Sequence, residues 1–561
     1  MLSLPDAPVA LLDALRPQPR SRSTTRRASR SNGEFEQLVD GLRHAANGTR
    51  NDTFNRAAFR AGQMAAAGLI DAAEAEERLA EAAQDAGLSE REIDHILPRV
   101  IEEGQDQPRN SDGEPISQVT MANIWVERHG RDRRYDHDSG RWMRVDRSSG
   151  IWLADECRAT FHEIGTVVHE IGGGVSRYSN AGFIGGAETL ARSLPAVAVT
   201  QQHFDSDKML LGTPAGPVDL RTGKLLPPNP ALLISKATTV APAPGQPTRW
   251  LDFLMQSTGQ DALMVEFLQR VLGYMLTGLT IEQALFFIYG DGGNGKGVFI
   301  NVSSRIMGDY AVTTAMETFT ASRNEQHPTG LAMLRGARMA TASETEQGRP
   351  WAESRIKQAT GGDVISARFM RQDFFSYVPE FKLLIIGNFH PVLHTVDDAM
   401  KRRFNIIPFT RKPDVPNPHL EQELEEEFPQ ILSWMIEGCL KWQQDGLRRP
   451  EAVIGATADY FQDQDVFGQW LEEFCETGPG CAATSQELFH NWTLFAEDMG
   501  EEPGTMKGFG GLMSKRGFVS ARATSGNRSR FWKGLKLQTV ADPRTGAQVA
   551  KTPRHVSQEA L

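Results

Sequence analysis

Apolar positions along this chain fall into blocks with two periods, and the blocks set the expected elements. Phe54, Ala57, Ala58 and Gly62 recur at the spacing of one helical face. A second helical run covers Ala72 to Ala86 and stops at Gly87, and Ser89 followed by Glu92 is a capping box that opens a third helix. Together they predict a small helical domain over 34–104. The pattern then shortens. RRYD, RWMRV and GIWLAD are strand-like and are separated by the turn-forming DHDSG and DRSSG. They predict a small α+β region over 116–248, which runs out through a Pro-rich extended passage. Helical spacing returns in Phe253, Leu254, Phe267, Leu268, Val271, Leu272 and Leu276, so residues 249–279 read as helical. Continuous apolar runs at 284–289, 382–387 and 405–409 predict buried core strands of an α/β domain over 249–463. From Val466 three helical stretches precede a turn-linked strand pair, and these form a last domain over 464–540. The polar ends 1–33 and 541–561 read as tails, and 105–115 as a linker.

The strand at 284–289 leads directly into a glycine-rich turn, YGDGGNGKGVF, and then into a helix-forming segment. Gly290, Asp291, Gly292, Gly293, Asn294, Gly295, Lys296 and Gly297 carry the spacing G-x-x-x-x-G-K of a phosphate-binding loop. Glycines let successive backbone N–H groups turn inward toward phosphate oxygens, and the following helix aims its positive end at the same charge. Lys296 adds a point charge for the β- and γ-phosphates of ATP. Gly297 stands where Ser or Thr normally offers a hydroxyl to magnesium. The metal must then depend on water and on acids further along, with Asn301 or Ser303 as possible helpers.

Three later segments fit the same chemistry. GARMATA leads into Ser343, Glu344, Thr345 and Glu346, and a carboxylate at a strand's end can hold Mg2+ through water and activate the attacking water. Glu344 is the main candidate and Glu346 the second. Asn388 ends the strand KLLIIG, where an amide can orient that water or simply begin a turn before His390 and Pro391. Arg402 and Arg403 precede the next strand as surface charges or as fingers for a neighbour's γ-phosphate. Between Glu344 and Asn388, Lys357, Arg368, Arg371 and Lys382 alternate with aromatics, which suits a single strand of nucleic acid.

Other polar pairs are weaker signals. Asp136 and Asp138 suit a hairpin turn better than a divalent metal. His162–Glu163 and His169–Glu170 repeat at a spacing of seven, which suits an amphipathic helix better than zinc. The acidic run EQELEEEF reads as a solvated face. Three helices and a strand pair over 464–540 suggest a winged helix. Lys515, Arg516, Arg522, Arg528 and Arg530 make its wing basic, which suits DNA phosphates.

Composition changes this picture little. The 561 residues allow several domains, and 40% hydrophobic with 23% charged residues is ordinary for a soluble globular chain. A net charge of −11 confines any nucleic-acid contact to local basic surfaces. The cysteines Cys157, Cys439, Cys475 and Cys481 form no C-x-x-C pair and fit a reducing cytoplasm. No apolar run is long enough to span a membrane.

In this order the motifs resemble the superfamily-three helicases, and more closely the helicase part of phage and plasmid primase–helicases. VDLRTGKL, FLQRVLGYMLTG, YGDGGNGKGVF, IKQATGGD, IIGNFHP and RRFNIIPF are similar to that family's landmarks. GTRNDTFNRAAFRAGQMAAAGLI resembles the helical module that follows the primase part. A primase-polymerase domain is not evident. The resemblance implies an α/β P-loop core of AAA+ type, with a helical N-terminal module, a small α+β middle region and a C-terminal winged helix. It implies ATP and Mg2+ as cofactors, a hexameric homo-oligomeric ring with ATP between subunits, and Arg402 or Arg403 acting in trans. It also implies central hairpins on single-stranded and forked DNA, with 3′-to-5′ travel. The expected activity is ATP-dependent DNA unwinding in phage, prophage or plasmid replication, in the cytoplasm of a bacterial host or a virus-infected cell. A separate primase or polymerase is a further expected partner. The alternatives are a bifunctional primase–helicase, and a nucleotide-dependent initiator or scaffold that binds DNA without unwinding it.

Overall fold

The computed structural model describes residues 24–553 apart from 67–68, 108–115, 173–177, 322–327, 345–349, 394–396, 414, 523–529, 543 and 546. The chain forms two compact units, one from residues up to 204 without 147–151, the other from 147–151 and residues 205 onward.

The first unit begins with helices α1 (Thr24–Arg43), α2 (Arg50–Ala66), α3 (Ala72–Asp85) and α4 (Glu90–Gln105). α1 starts inside the stretch expected to be a tail. Phe54, Ala57 and Ala58 are buried with Leu79 and Leu97, so the apolar spacing marks the packed face. α2 and α4 meet closely at small residues, since a Cβ on Gly62 would lie 2.2 Å from the Ile101 carbonyl oxygen. The capping box forms, with the Ser89 N–H donating to the Glu92 carboxylate at 2.9 Å. Next come α5 (Gln118–His129), β1 (Arg133–Asp136), β2 (Arg141–Val145), β3 (Trp152–Ala154), α6 (Ala159–Ile171), α7 (Ala181–Ala191) and β4 (Ala198–Val199). The strands lie in the order β3-β2-β1-β4, and the helices bury Trp125, Ile164 and Ala187 in one core. Asp136 and Asp138 do sit in a turn, where the Asp138 N–H donates to the Asp136 carboxylate at 3.1 Å. On α6, Glu163 pairs with Arg133 and Glu170 with Arg128. Among the described residues no group of three or more His, Cys, Asp or Glu is placed to hold a metal.

The second unit begins with the short strands β5 (Leu210–Leu211), β6 (Val218–Asp219) and β7 (Lys224–Leu225). The helical stretch expected after them is two helices, α8 (Thr248–Ser257) and α9 (Ala262–Met275). It breaks because Asp261 caps the second, accepting the Leu263 and Met264 N–H groups at 3.0 and 3.1 Å. α8 follows Pro247, which offers no side-chain cap. Its free N–H groups at Arg249 and Trp250 donate instead to the Glu427 carboxylate at 3.1 and 3.0 Å.

The centre of the unit is a parallel sheet. In chain order it is built from β8 (Leu285–Tyr289), α10 (Lys296–Met307), β9 (Ala311–Thr313), α11 (Thr329–Ala332), β10 (Met339–Glu344), α12 (Glu353–Gly361), β11 (Ile365–Ala367), β12 (Phe375–Tyr377), β13 (Lys382–Gly387), α13 (Asp398–Lys401) and β14 (Phe404–Pro408). Its five strands lie in the order β14-β8-β13-β10-β9, all parallel. Leu285 to Ile288 are fully buried because both faces of the sheet are covered, which explains the unbroken apolar run. β11 and β12 form a separate antiparallel hairpin. Helices α14 (Leu420–Glu425), α15 (Phe428–Asp445) and α16 (Glu451–Gln464) follow.

The chain ends in α17 (Val466–Phe474), β15 (Cys475–Thr484), α18 (Ser485–Asp498), α19 (Met506–Lys515), β16 (Val519–Arg522), β17 (Arg530–Leu537), β18 (Thr539–Ala541) and β19 (Gln548–Ala550). The expected strand pair is a three-stranded sheet, β15-β17-β16, because CETGPGCAAT adds an edge strand. Ala541 and Gln548–Ala550, in the stretch expected as tail, belong to the β18–β19 hairpin. The Lys551 carbonyl, just beyond it, accepts a bond from Asn491 at 2.9 Å.

Candidate active site at the carboxyl edge of the parallel sheet

Parallel strands in register bring distant residues to one edge. Tyr289 of β8 pairs with Gly387 of β13 and with Pro408 of β14, and Gly387 pairs with Glu344 of β10. The loop 290–295, Glu344 and Asn388 therefore follow or end neighbouring strands at the same carboxyl edge. In open α/β sheets this edge is where ligands bind.

The loop has the conformation that its glycines allow. Gly290, Gly293 and Gly295 have φ of 149°, 82° and 86°. A Cβ on Gly290 would lie 2.0 Å from the Phe409 carbonyl oxygen, and one on Gly295 would lie 2.6 Å from the Phe253 ring, so neither position accepts a side chain. Asn294 donates to the Phe409 carbonyl and ties the loop to the end of β14. Lys296 is the first residue of α10 and is buried. Its ammonium donates to the Gly290 carbonyl at 2.5 Å and to the Asp291 carbonyl and Asn294 Oδ1, each at 3.0 Å. Burial pushes this lysine below its usual pKa range; Asp291 opposes the shift and Lys412 adds repulsion.

A cleft of about 510 Å³ opens beside the loop, lined by Gly293–Val298, Ser343, Ile386–Asn388 and Glu421. Asn388 is exposed on its wall. Glu344 ends β10 next to Ser343, whereas Glu346 lies outside the described residues. Gly297 faces open space, because a Cβ there would have no neighbour within 4 Å. Of the two expected helpers, Ser303 is buried and its hydroxyl donates to the Phe299 carbonyl at 2.7 Å, so it is not available to the cleft. Asn301 donates to Glu421 at 3.0 Å. Glu421 was concealed in the acidic run read as a solvated face. That reading is corrected for several of its members, since Glu425 pairs with Arg305 and Glu427 caps α8. The Glu421 carboxylate beside the glycine-rich loop is of the kind that would suit a hard cation such as Mg2+.

The paired arginines differ sharply. Arg402 is exposed. Arg403 is 6% exposed, donates to Thr360 Oγ1 at 3.0 Å and to the Ala399 carbonyl at 2.6 Å, and is held by its own chain. Both precede β14, so they lie at the amino edge of the sheet, opposite the loop. The five residues of β14 put roughly 16 Å between the two edges.

Of the residues expected to grip DNA, Arg368 and Arg371 lie in the connection between β11 and β12. The Arg368 guanidinium covers the Phe374 ring at 4.6 Å, and Arg371 has φ of 61° at the turn. Met370 and Phe374 are nevertheless 69% and 60% exposed, so the tip presents apolar surface. Lys357 is not free, since it pairs with Asp397 at 2.6 Å. Lys382 is buried on β13 and donates to the Thr277 carbonyl, which removes it from any DNA surface. In the C-terminal part, Lys515, Arg522 and Arg530 are exposed, and the two arginines are cross-strand partners. Arg516 pairs with Asp465, and Arg528 lies outside the described residues.

Fold and site thus define a mixed α/β protein with a cleft at the carboxyl edge of a parallel sheet. A family model described as D5 N terminal like matches residues 122–258, and a second, described as a family of unknown function (DUF5906), matches 288–403, from the loop to Arg403. A putative helicase L207/L206 of Acanthamoeba polyphaga mimivirus is 23% identical over 298 residues, covering 49% of this chain and 31% of that protein. A putative helicase 022R of Frog virus 3 (isolate Goorha) is 24% identical over 274 residues, covering 44% and 28%. The chain therefore spans about a third of the length of these curated relatives. Among solved structures, the apo C-terminal region of NrS-1 aligns over 75% of this chain and 100% of its own, with 10% identity and a TM-score of 0.44. By these matches the chain is similar to viral putative helicases, in keeping with the primase–helicase family that its motifs resemble.

Proposed function

We propose that this chain is an ATP-dependent DNA helicase of a phage, prophage or plasmid replication system, working as a ring on single-stranded DNA. The observation that carries the reading is the meeting of Lys296, Glu344 and Asn388 at one sheet edge while Arg402 stands exposed at the other. The loop amides and the start of α10 bind the triphosphate. Lys296 exchanges its loop carbonyls for phosphate oxygens, a change that a buried ammonium near Lys412 favours. Asn388 orients the attacking water and Glu344 takes its proton. Magnesium, when bound, neutralises charge on the β- and γ-phosphates. An arginine of the neighbouring subunit stabilises the transferred charge, and Arg402 is the candidate, because Arg403 is committed to its own subunit. The β11–β12 tip, with Arg368, Arg371 and Phe374, holds one strand by charge and stacking. α17–α19 with β15–β17 act as a winged helix on duplex DNA through Lys515, Arg522 and Arg530.

The test is strand separation of a forked duplex with ATP and Mg2+, using Lys296→Ala as the blank. Wild-type protein separates the strands and the variant does not. ATP and DNA binding without separation would instead favour a nucleotide-dependent initiator that binds DNA without unwinding it.

A further inference from the structure

Gly297 brings no hydroxyl to the cleft, and a carboxylate, Glu421, lines the same cleft. Gly297, Asn301 and Arg305 are spaced by four along α10 and therefore share one face. Glu421 and Glu425 have the same spacing on α14. The two helices are joined by two rungs, Asn301 to Glu421 at 3.0 Å and Arg305 to Glu425 at 2.6 Å. Arg305 also attracts Glu421, but its direct partner is Glu425. One turn before the first rung stands Gly297, where a Cβ would meet nothing within 4 Å. Glu421 lines the same cleft as Gly297, Ser343 and Asn388.

We propose that Glu421, steered by Asn301, supplies the oxygen donor for the nucleotide's magnesium that this loop does not supply at position 297. The inference rests on the cleft being the ATP site. A carboxylate suits this task, because Mg2+ is a hard cation that takes oxygen ligands. A carboxylate near phosphates repels them without a metal, so Glu421 also makes nucleotide binding depend more strongly on magnesium. Asn301 acts as a positioning residue, since it fixes the carboxylate through the rung.

The test is a titration of a fluorescent ATP analogue against the full chain, with and without Mg2+. Glu421→Gln keeps one oxygen to accept from Asn301 while removing the charge and the second oxygen. It raises the Mg2+ concentration for half-maximal nucleotide binding about tenfold, the effect expected when a group supporting a metal is lost. Metal-free nucleotide binds it as well as, or better than, wild type. Gly297→Ser in the Glu421→Gln background restores the magnesium response. Glu425→Gln, which breaks the second rung away from the cleft, leaves that response unchanged. An unchanged magnesium response in Glu421→Gln overturns the inference, and so does an equal shift in Glu425→Gln, which would mark a purely structural ladder. If wild-type protein bound no nucleotide under either condition, the assignment of the ATP site itself would fall, and this inference with it.

Discussion

At the scale of single residues, side chains outside the cleft pack against the elements that build it. His390 lies just after β13 and packs against Tyr289, the residue before the loop, with ring centroids 4.5 Å apart, and against Tyr460 at 5.1 Å. Its Nε2 is buried without a hydrogen-bond partner among the described residues. Burial lowers its pKa from the ordinary 6.5, with Asp463 opposing. The sign of the linkage follows. As pH falls through 6.5, the unfolded chain takes up this proton before the folded one, so stability is full above that value and declines below it. His390→Phe removes the titration and keeps the aromatic packing. The difference in melting temperature between wild type and variant should therefore shift in favour of the variant between about pH 7.5 and 5.5, at no more than about 1.4 kcal/mol per pH unit. Parallel pH profiles for the two proteins would show that His390 does not couple protonation to folding. Arg403 belongs to this scale too. Two arginines side by side look equivalent in a sequence, and only burial tells the one held by Thr360 from the exposed one.

At the scale of elements, legibility followed how local each cause was. β8, its loop and α10 could be read because the strand's apolar run, the glycine spacing and Lys296 are contiguous. The capping box at Ser89 and the hairpins after β1 and β2 were equally local. Elements fixed by distant partners could not be read. β15 carries two glycines and a proline and lacks strand propensity, yet it pairs with β17 across a shifted register. The cap on α8 comes from Glu427, roughly 180 residues away. The order of the parallel strands, which makes the cleft, follows from crossover connections that no periodicity reveals. The β11–β12 hairpin is intermediate: its charges and aromatics were legible, and its exposure was not. If its tip holds single-stranded DNA, Phe374→Ala weakens binding by about 1–3 kcal/mol through lost stacking. Arg371→Ala lowers the slope of log affinity against log salt by about one. Lys357→Ala leaves that slope unchanged, since this lysine is engaged with Asp397. Equilibrium titrations at several salt concentrations check all three, and unaltered binding by both tip variants would remove the hairpin from the DNA path.

At the scale of the whole molecule, the separation between the two edges of the parallel sheet becomes an argument about assembly. The loop and Arg402 lie at opposite edges, so one chain could not bring Arg402 to a phosphate held at its own loop without dismantling β14. On the proposed reading, the exposed arginine serves a site on another copy, in a head-to-tail arrangement that makes a ring where the rotation closes. The consequence is measurable in mixtures. Arg402→Ala subunits alone should bind nucleotide and hydrolyse it at least about a hundredfold more slowly, because a finger arginine contributes about 10³–10⁵ in rate. Lys296→Ala subunits alone should be inactive for want of phosphate binding. Mixed in one assembly, some interfaces join an intact loop from an Arg402→Ala subunit to an intact arginine from a Lys296→Ala subunit, and ATP hydrolysis returns. Arg403→Ala behaves differently: it leaves Thr360 Oγ1 and the Ala399 carbonyl without their donor, costs about 1–3 kcal/mol of stability, and gains nothing from mixing. If co-assembled Lys296→Ala and Arg402→Ala subunits, verified by differential tagging, recover no hydrolysis, then Arg402 does not act between subunits. The ring would lose its main structural argument, and a monomeric or differently paired ATPase would have to find its arginine elsewhere.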